Sequence, residues 1–372
     1  MRTAILSDLH LSLTSGGDVL RDDGVRRILL EEIGDADRVV LLGDVVELRE
    51  RPLGAALEIA RPFFEDLGAA LGDREVTIVP GNHDYRLAEP LLDELSLSAG
   101  GSLGLEHEKG PSPGPTAAID AWLGPARLRI AYPGLWLRDD VYATHGHYMD
   151  PHLGLPRAEC IATAALIRVS RQLPEQATPS DYERVLRPIY GFTYAVAQAR
   201  STSPSRERTP PSEAAWKALS GTNGNLTRRR RWARSALREG FPAGIWALNR
   251  LLDADFRADL TPGAFVSSGI DAATELARRL GVDGAHVITG HSHRAGPLPD
   301  EGEWPLPGGG RLHNTGAWVF ASAFHHPGEP PNSYWPGTVT WVEDEGAPRR
   351  VQLLLERPHA ELREVVSRAA LK

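Results

Sequence analysis

"EVTIVPGNHD", residues 75–84, is the stretch on which the fold turns. Val76, Thr77, Ile78 and Val79 run through Pro80 straight into Gly81, Asn82, His83 and Asp84. A short apolar run closed by turn residues fits a strand buried on both faces. Gly81 and Asn82 alone would make the turn, so an imidazole between an amide and a carboxylate asks for a further reason. Earlier residues repeat the pattern. "TAILSD" (3–8) and "RVVLLGD" (38–44) are apolar runs of similar length, each closed by an aspartate. Between the three runs, residues 24–34 and 53–71 place Leu, Ile, Ala and Phe at helical spacing. Strand and helix in alternation predict a parallel α/β sheet covered on both faces, with ligands held at the carboxyl edge of its strands.

Further along, residues 99–125 are rich in Gly and Pro and read as a long surface loop. Strand signals return at 126–147, where a pair of strands is expected with its turn at Asp139-Asp140. From about 150 to 280 they vanish. Helix-like stretches stand near 156–173, 181–200, 213–239 and 243–258, with the polar break "STSPSRERTPPSE" (201–213) between the second and third. "AHVITGHSH" (285–293) restores the strand pattern, followed by "RLHNTGAWVFASAF", a hairpin over 338–356 and a closing helix over 358–370. The expected organisation is a catalytic α/β domain of residues 1–149 and 281–372, with 150–280 inserted as a helical cap.

Composition narrows the class. The 372 residues are 41% hydrophobic and 24% charged, the balance of a soluble globular protein. A net charge of −8 gives no global attraction to nucleic acid. Cys160 is the sole cysteine, which excludes an intrachain disulfide and suits a reducing, cytoplasmic setting. Asp8 and His10 interrupt the N-terminal apolar stretch too early for a signal peptide. No apolar run approaches the roughly 20 residues of a spanning helix. One local feature stands against the acidic whole. From Arg200 to Gly240 there are ten Lys or Arg against three Asp or Glu, including "TRRRRWARSALRE" (227–239). Two readings remain open for it: a solvated helix face, or a patch that attracts a polyanionic substrate or an anionic membrane surface, with Trp216 and Trp232 at the interface. Nucleic acid is not expected, because no stripe of basic and aromatic residues continues elsewhere.

Four more clusters answer the question raised by His83. They are "SDLH" (7–10), "GDVVE" (43–47), "THGH" (144–147) and "GHSH" (290–293). Each supplies Asp or His, and most close a predicted strand. Carboxylate, carboxamide and imidazole donors together suit Mn²⁺, Fe or Zn²⁺ better than a thiolate-seeking metal. Residues two apart, as in "DLH" and "HSH", can reach one cavity from a strand end. Glycine beside the donors lets the backbone turn and approach a cation. Two cations about 3.5–4 Å apart need a bridging carboxylate, and Asp44 is placed for it. Glu47 reads as a carboxylate on the first turn of a helix, where it favours the dipole. His147 is open between a supporting role and plain exposure.

The ordered set DxH, GDxxE, GNHD, His-Gly and GHxH resembles the calcineurin-like metallophosphoesterases over 1–90, 141–147 and 286–320. The resemblance implies an α/β sandwich of two mixed sheets flanked by helices. It also implies two divalent metal ions, Mn²⁺ first with Fe or Zn²⁺ as alternatives. By position, Asp8, His10, Asp44 and His293 would hold one; Asp44, Asn82, His145 and His291 would hold the other. His83 would contact the leaving group, and Asp84 would orient its ring. Asn314 and Thr315 of "HNTGAW", a segment that often follows GHxH in this family, would serve in packing or shape the floor of the site. The implied reaction is hydrolysis of a phosphodiester or phosphoanhydride, with a phosphomonoesterase as the alternative and a non-catalytic scaffold as a third reading. The motifs "SDLHLS", "GDVVEL" and "GHSHRA" are also similar to the UDP-2,3-diacylglucosamine pyrophosphatases, which suggests a nucleotide- or lipid-linked substrate and a peripheral membrane location. Two features depart from that group: the long span between HGH and GHSH, and His83 where an arginine is common.

Overall fold

Side chains on the first strands alternate between two apolar layers, and that alternation sets the architecture. The structure, a computed structural model, describes residues 1–98, 101–156, 158–170, 173–199, 241–259, 262–325, 328 and 330–370. Within them the strands are β1 (Thr3–Leu6), β2 (Arg38–Leu41), β3 (Glu75–Ile78), β4 (Glu106–Lys109), β5 (Arg127–Arg138) and β6 (Val141–Thr144). Later come β7 (His286–Thr289), β8 (Ala295–Gly296), β9 (Trp304–Pro305), β10 (Arg311–Thr315), β11 (Thr338–Val342) and β12 (Arg349–Gln352). They pair in the order β12-β11-β1-β2-β3-β5-β6-β7-β10-β8, with β4 beside β5 and β9 beside β10.

The neighbours β1, β2, β3 and β5 run parallel, as do β6, β7 and β10; β5 and β6 form an antiparallel hairpin turning at Asp139-Asp140. Leu6 faces Leu41, and Leu41 faces Ile78, so the first three strands stop on one line. The motif residues therefore leave the sheet side by side.

Nine helices stand among the described residues: α1 (Asp23–Glu32), α2 (Leu53–Leu71), α3 (Glu89–Leu97), α4 (Pro115–Leu123), α5 (Ala158–Ser170), α6 (Pro179–Gln198), α7 (residues 241–252), α8 (Pro262–Leu280) and α9 (His359–Ala370). Ala4, Leu6, Val39, Leu41, Val76 and Ile78 pack on the α1 and α2 side with Leu29, Phe63, Phe64 and Leu67. Their alternates Ile5, Val40 and Val79 point the other way and meet Leu135, Ala143 and Ile288 from the second half of the sheet. The expected sandwich is thus present as one continuous, curled mixed sheet whose halves enclose that inner layer. A third apolar layer joins Tyr132, Tyr142, Val287 and Leu312 of the sheet to Leu186 and Ile189 of α6 and Ala273 and Leu276 of α8. Thr178 caps α6 by accepting from the Asp181 N–H, and the Asp181 side chain accepts from the Thr178 N–H, a capping box.

Three local expectations are corrected. Residues 99–125 are no plain loop: β4 and α4 lie within them, the helix opening at Pro115 and burying Ile119 and Leu123. Glu47 lies outside any helix, since α2 begins only at Leu53. Helix α8 fills the last part of the expected helical cap, where no separate helical stretch was expected, because its Gly269 and two adjacent serines obscure the pattern. The basic segment 227–239, Trp216, Trp232 and the break 201–213 lie outside the described residues.

Candidate metal centre

The strand ends deliver the donors through unusual backbone. Among the described residues, Asp8, His10, Asp44, His291 and His293 account for five of the seven non-glycine residues with positive φ. Left-handed backbone is strained for a side-chain-bearing residue and collects where function holds it. Here it swings each side chain back over the strand end it has just left. Gly43 and Gly81 make the close approach possible. A Cβ on Gly43 (φ +83°) would stand 2.3 Å from the His145 ring, and one on Gly81 would stand 2.3 Å from Asp44 Oδ1.

The result is one cluster around Asp44. Asp44 Oδ2 lies 3.5 Å from His10 Nε2 and 3.3 Å from His145 Nε2. On one side, Asp8 Oδ1 is 3.3 Å from His293 Nε2, and the His10 and His293 Nε2 atoms are 3.1 Å apart. On the other, His291 groups with Asp44 and His145 within ligand distance, and a third grouping joins His10, Asp44 and His83. Asn82 is buried beside His83, whose backbone N–H donates to Asp44 Oδ1 at 2.8 Å. Each residue predicted as a metal ligand is therefore at or beside one pocket.

Four buried atoms test whether cations fit. Asp8 Oδ1, Asn82 Oδ1, His145 Nε2 and His291 Nδ1 have no hydrogen-bond partner among the described residues. Buried polar atoms without partners are costly and rare. Those on His145 and His291 are also the correct atoms for coordination. His145 Nδ1 donates to the Leu42 carbonyl at 2.9 Å, which leaves Nε2, 3.3 Å from Asp44 Oδ2, to carry either a proton or a cation. His291 Nε2 meets Asp150 Oδ1 at 2.8 Å, leaving Nδ1. Fixing one ring nitrogen to free the other is how proteins orient metal-binding histidines. The donor set fits divalent cations.

Two supporting carboxylates were missed. Glu47, fully buried, places Oε2 at 3.1 Å from His10 Nδ1 and at 2.6 Å from His83 Nδ1. It orients the His83 ring, the task expected of Asp84. Asp84 instead accepts from the backbone N–H of Gly81 (2.6 Å) and of Val45 (2.7 Å), tying the GNHD turn to the GD turn. Its short side chain is committed to that backbone. Asp150 was missed altogether. The sequence signal for Glu47 was already in "GDVVE", three residues after Asp44.

Electrostatics agree with a site built for cations. Burial opposes protonation of His10 and His145, yet Glu47 and Asp44 around His10 raise it to about 9, and Asp44 and Asp8 around His145 raise it to about 10. Burial likewise opposes ionisation of Asp44, but His145, His83 and His10 hold it well below the usual carboxylate range. Burial and the Asp44 charge push Asp84 up to about 6. The carboxylates balance themselves with protons on imidazoles, positions that cations take over when they bind.

His147 is buried and outside these groupings, its ring 5.6 Å from that of His145. Burial, then the charges of His145 and His291, depress its pKa. Behind it stands a polar hub. Glu183 of α6 accepts from Tyr132 (2.5 Å) and Tyr148 (2.6 Å) on Oε1 and from Tyr85 (2.8 Å) on Oε2. Because Tyr132 gives its proton to Glu183, the 3.1 Å contact to His147 Nε2 has the imidazole as donor. On the floor, the Asn314 side-chain amide donates to Gly290 O and Ser292 Oγ, shaping the GHSH turn. No described helix is long and apolar enough to cross a membrane.

Residues 1–181 match the sequence model of the calcineurin-like phosphoesterase family. No curated protein matches the chain. Among solved structures, the chain is similar to the cold-active protein-tyrosine phosphatase of a psychrophilic Shewanella species, at 15% identity over 94% of this chain and 80% of that one, with a TM-score of 0.27. The family match, with the donor clusters, makes the chain a metal-dependent phosphoric ester hydrolase. Its substrate is a phosphate ester. Nothing in these matches extends the resemblance to the UDP-2,3-diacylglucosamine pyrophosphatases.

Proposed function

We propose that the chain hydrolyses a phosphodiester or phosphoanhydride with two divalent cations, Mn²⁺ foremost. Asp8, His10, Asp44 and His293 would hold one; Asp44, Asn82, His145 and His291 would hold the other. The observation that carries this reading is the set of four buried donor atoms without hydrogen-bond partners, on Asp8, Asn82, His145 and His291, three of which belong to residues that group as metal donors. When bound, such a pair withdraws charge from phosphoryl oxygens and lowers the pKa of water.

The chain's own residues do the rest. Asp8, Asp44 and the histidines preorganise charge before the substrate arrives, so little reorganisation is needed during reaction. His83 and His293 are the accessible rings, with side chains 27% and 31% exposed against 7% or less for His10, His145 and His291. They line the mouth. Glu47 takes the Nδ1 side of His83, so Nε2 is the edge turned to a substrate, where it hands a proton to the leaving oxygen. Residues 150–280 serve as a cap in this reading, with α6 fastened through Glu183 to Tyr132 of the sheet and to Tyr148. The lone, buried Cys160 fits a reducing cytoplasm.

Steady-state turnover by the Mn²⁺-loaded protein tests the bond type. Bis(p-nitrophenyl) phosphate and nucleotide- or lipid-linked pyrophosphates should be cleaved with a higher kcat/KM than p-nitrophenyl phosphate or phosphoserine peptides. The reverse order would reassign the enzyme to monoesters.

A further inference from the structure

Charge counting at the loaded centre leaves a gap. Asp8, Asp44, Glu47, Asp84 and Asp150 are buried around the pocket, and two divalent cations leave these five carboxylates with no positive charge to spare. Attraction for any part of a substrate beyond the scissile phosphate must come from another cation. Arg294 follows His293 directly but pairs with Glu301 and lies over the Trp304 ring at 4.7 Å. Arg49 is placed differently. Its backbone N–H donates to Glu47 Oε1 at 2.8 Å, pinning it to the carboxylate that orients His10 and His83. Its guanidinium lies in the field of Glu47 and Asp44. Nη2 reaches Glu159 Oε1 of α5 at 2.9 Å, while Nε and Nη1 have no protein partner among the described residues. A guanidinium offers five N–H donors in a planar fork suited to phosphate or carboxylate, and the contact to Glu159 uses one. That pair is 34% exposed on the Glu159 side. Arg49 itself is only 11% exposed, and an incoming anion would take the Nε and Nη1 edge that the contact to Glu159 leaves open.

We propose that Arg49, steadied by Glu159 of α5, receives a second anionic group next to the scissile phosphate. It thereby selects compounds with two adjacent negative groups, such as diesters of pyrophosphate, over single phosphates. The proposal rests on the phosphoesterase reading above. It gives α5 a task in substrate choice as well as in packing.

The test compares the Mn²⁺-loaded wild type with Arg49→Ala, Arg49→Lys and Glu159→Gln. Isothermal titration with α,β-methylene-ADP and with AMP reads binding. KM and kcat for di(adenosine) pyrophosphate and bis(p-nitrophenyl) phosphate read selection. The wild type should bind the two-phosphate probe about 10-fold or more tightly than AMP, from one charge-assisted hydrogen-bond pair. Arg49→Ala should bring that ratio near one, with the loss in KM for the pyrophosphate rather than in kcat. Arg49→Lys should recover part of it, and Glu159→Gln should shift it less. Equal binding of both probes by the wild type, or an unchanged ratio in Arg49→Ala, overturns the proposal. Absence of metal-dependent turnover of both substrates would instead sink the phosphoesterase reading, with the titration ratio still reporting on Arg49.

Discussion

A single oxygen of Glu47, Oε2, stands 2.6 Å from Nδ1 of His83 and also meets Nδ1 of His10 at 3.1 Å. One carboxylate therefore sets the tilt of a ring at the mouth and of a ring among the metal donors. Burial disfavours its charge, but the two histidines outweigh that and lower its pKa, so it stays ionised. Glu47→Gln keeps the shape and removes the charge. It should weaken metal affinity about 10–100-fold, as the loss of a supporting partner does, and lower kcat as well. Metal titration beside turnover checks this; wild-type values for both would show that the contact is idle.

Asp44 and His83 should separate cleanly. Asp44 belongs to two of the three donor groupings and is the ligand shared by the two proposed cations, so Asp44→Ala should leave the purified protein with little metal and no turnover. His83→Ala should retain metal and lose about 10²–10⁴ in kcat, the range of a positioned proton donor. Metal content by mass spectrometry, read beside kcat, distinguishes the two. A fully active His83→Ala would remove the proton-donor role.

Chelation should cost stability along with activity. Binding confined to the folded state adds about 2.7 kcal/mol when the free ligand is at 100 times Kd. Dialysis against EDTA should therefore lower Tm, and added Mn²⁺ should restore both Tm and turnover. An identical melting curve with and without metal would argue against the four orphaned donors as a cation site.

The Glu183 hub predicts a pH effect remote from the metals. Burial raises the Glu183 pKa above its ordinary 4.5, and the hydrogen bonds from Tyr132, Tyr148 and Tyr85 only partly offset this. A carboxyl raised in the folded state favours folding while protonated. Its stabilising contribution is complete below pH 4.5 and is lost as pH rises through the folded value. Glu183→Gln is neutral throughout and lacks that slope. The Tm difference between the two proteins, followed from pH 4 to 8, should shift in favour of Glu183→Gln as pH rises; a difference independent of pH would mean that Glu183 titrates normally.

Much of this was legible in the sequence because it is local. The strand at 75–78, the helix over 53–71 and the turn at Asp139-Asp140 are fixed by runs of a few residues, and the structure places them there. The donors Asp8, Asp44 and His291 could be picked out because each closes such a run. Glu47 and Asp150 escaped for the opposite reason. Their meaning depends on partners 36 and 141 residues away, His83 and His291, brought near only by sheet pairing. The Gly- and Pro-rich stretch 99–125 misled because Pro115 opens a helix as readily as it breaks one. The Glu183 hub had no signature at all, since three tyrosines from separate elements meet one glutamate only in three dimensions.

The backbone N–H of His291 donates to Asp8 Oδ2 at 2.9 Å, across an interval of 283 residues. The two sides of the pocket thus come from segments that are made far apart in time during translation. A nascent polypeptide that already displays Asp8, His10, Asp44 and Asn82 still lacks His145, His291 and His293, so on the proposed ligand set it stays catalytically silent until synthesis has passed His293. A proteolytic nick that frees β7 would return the folded molecule to that silence.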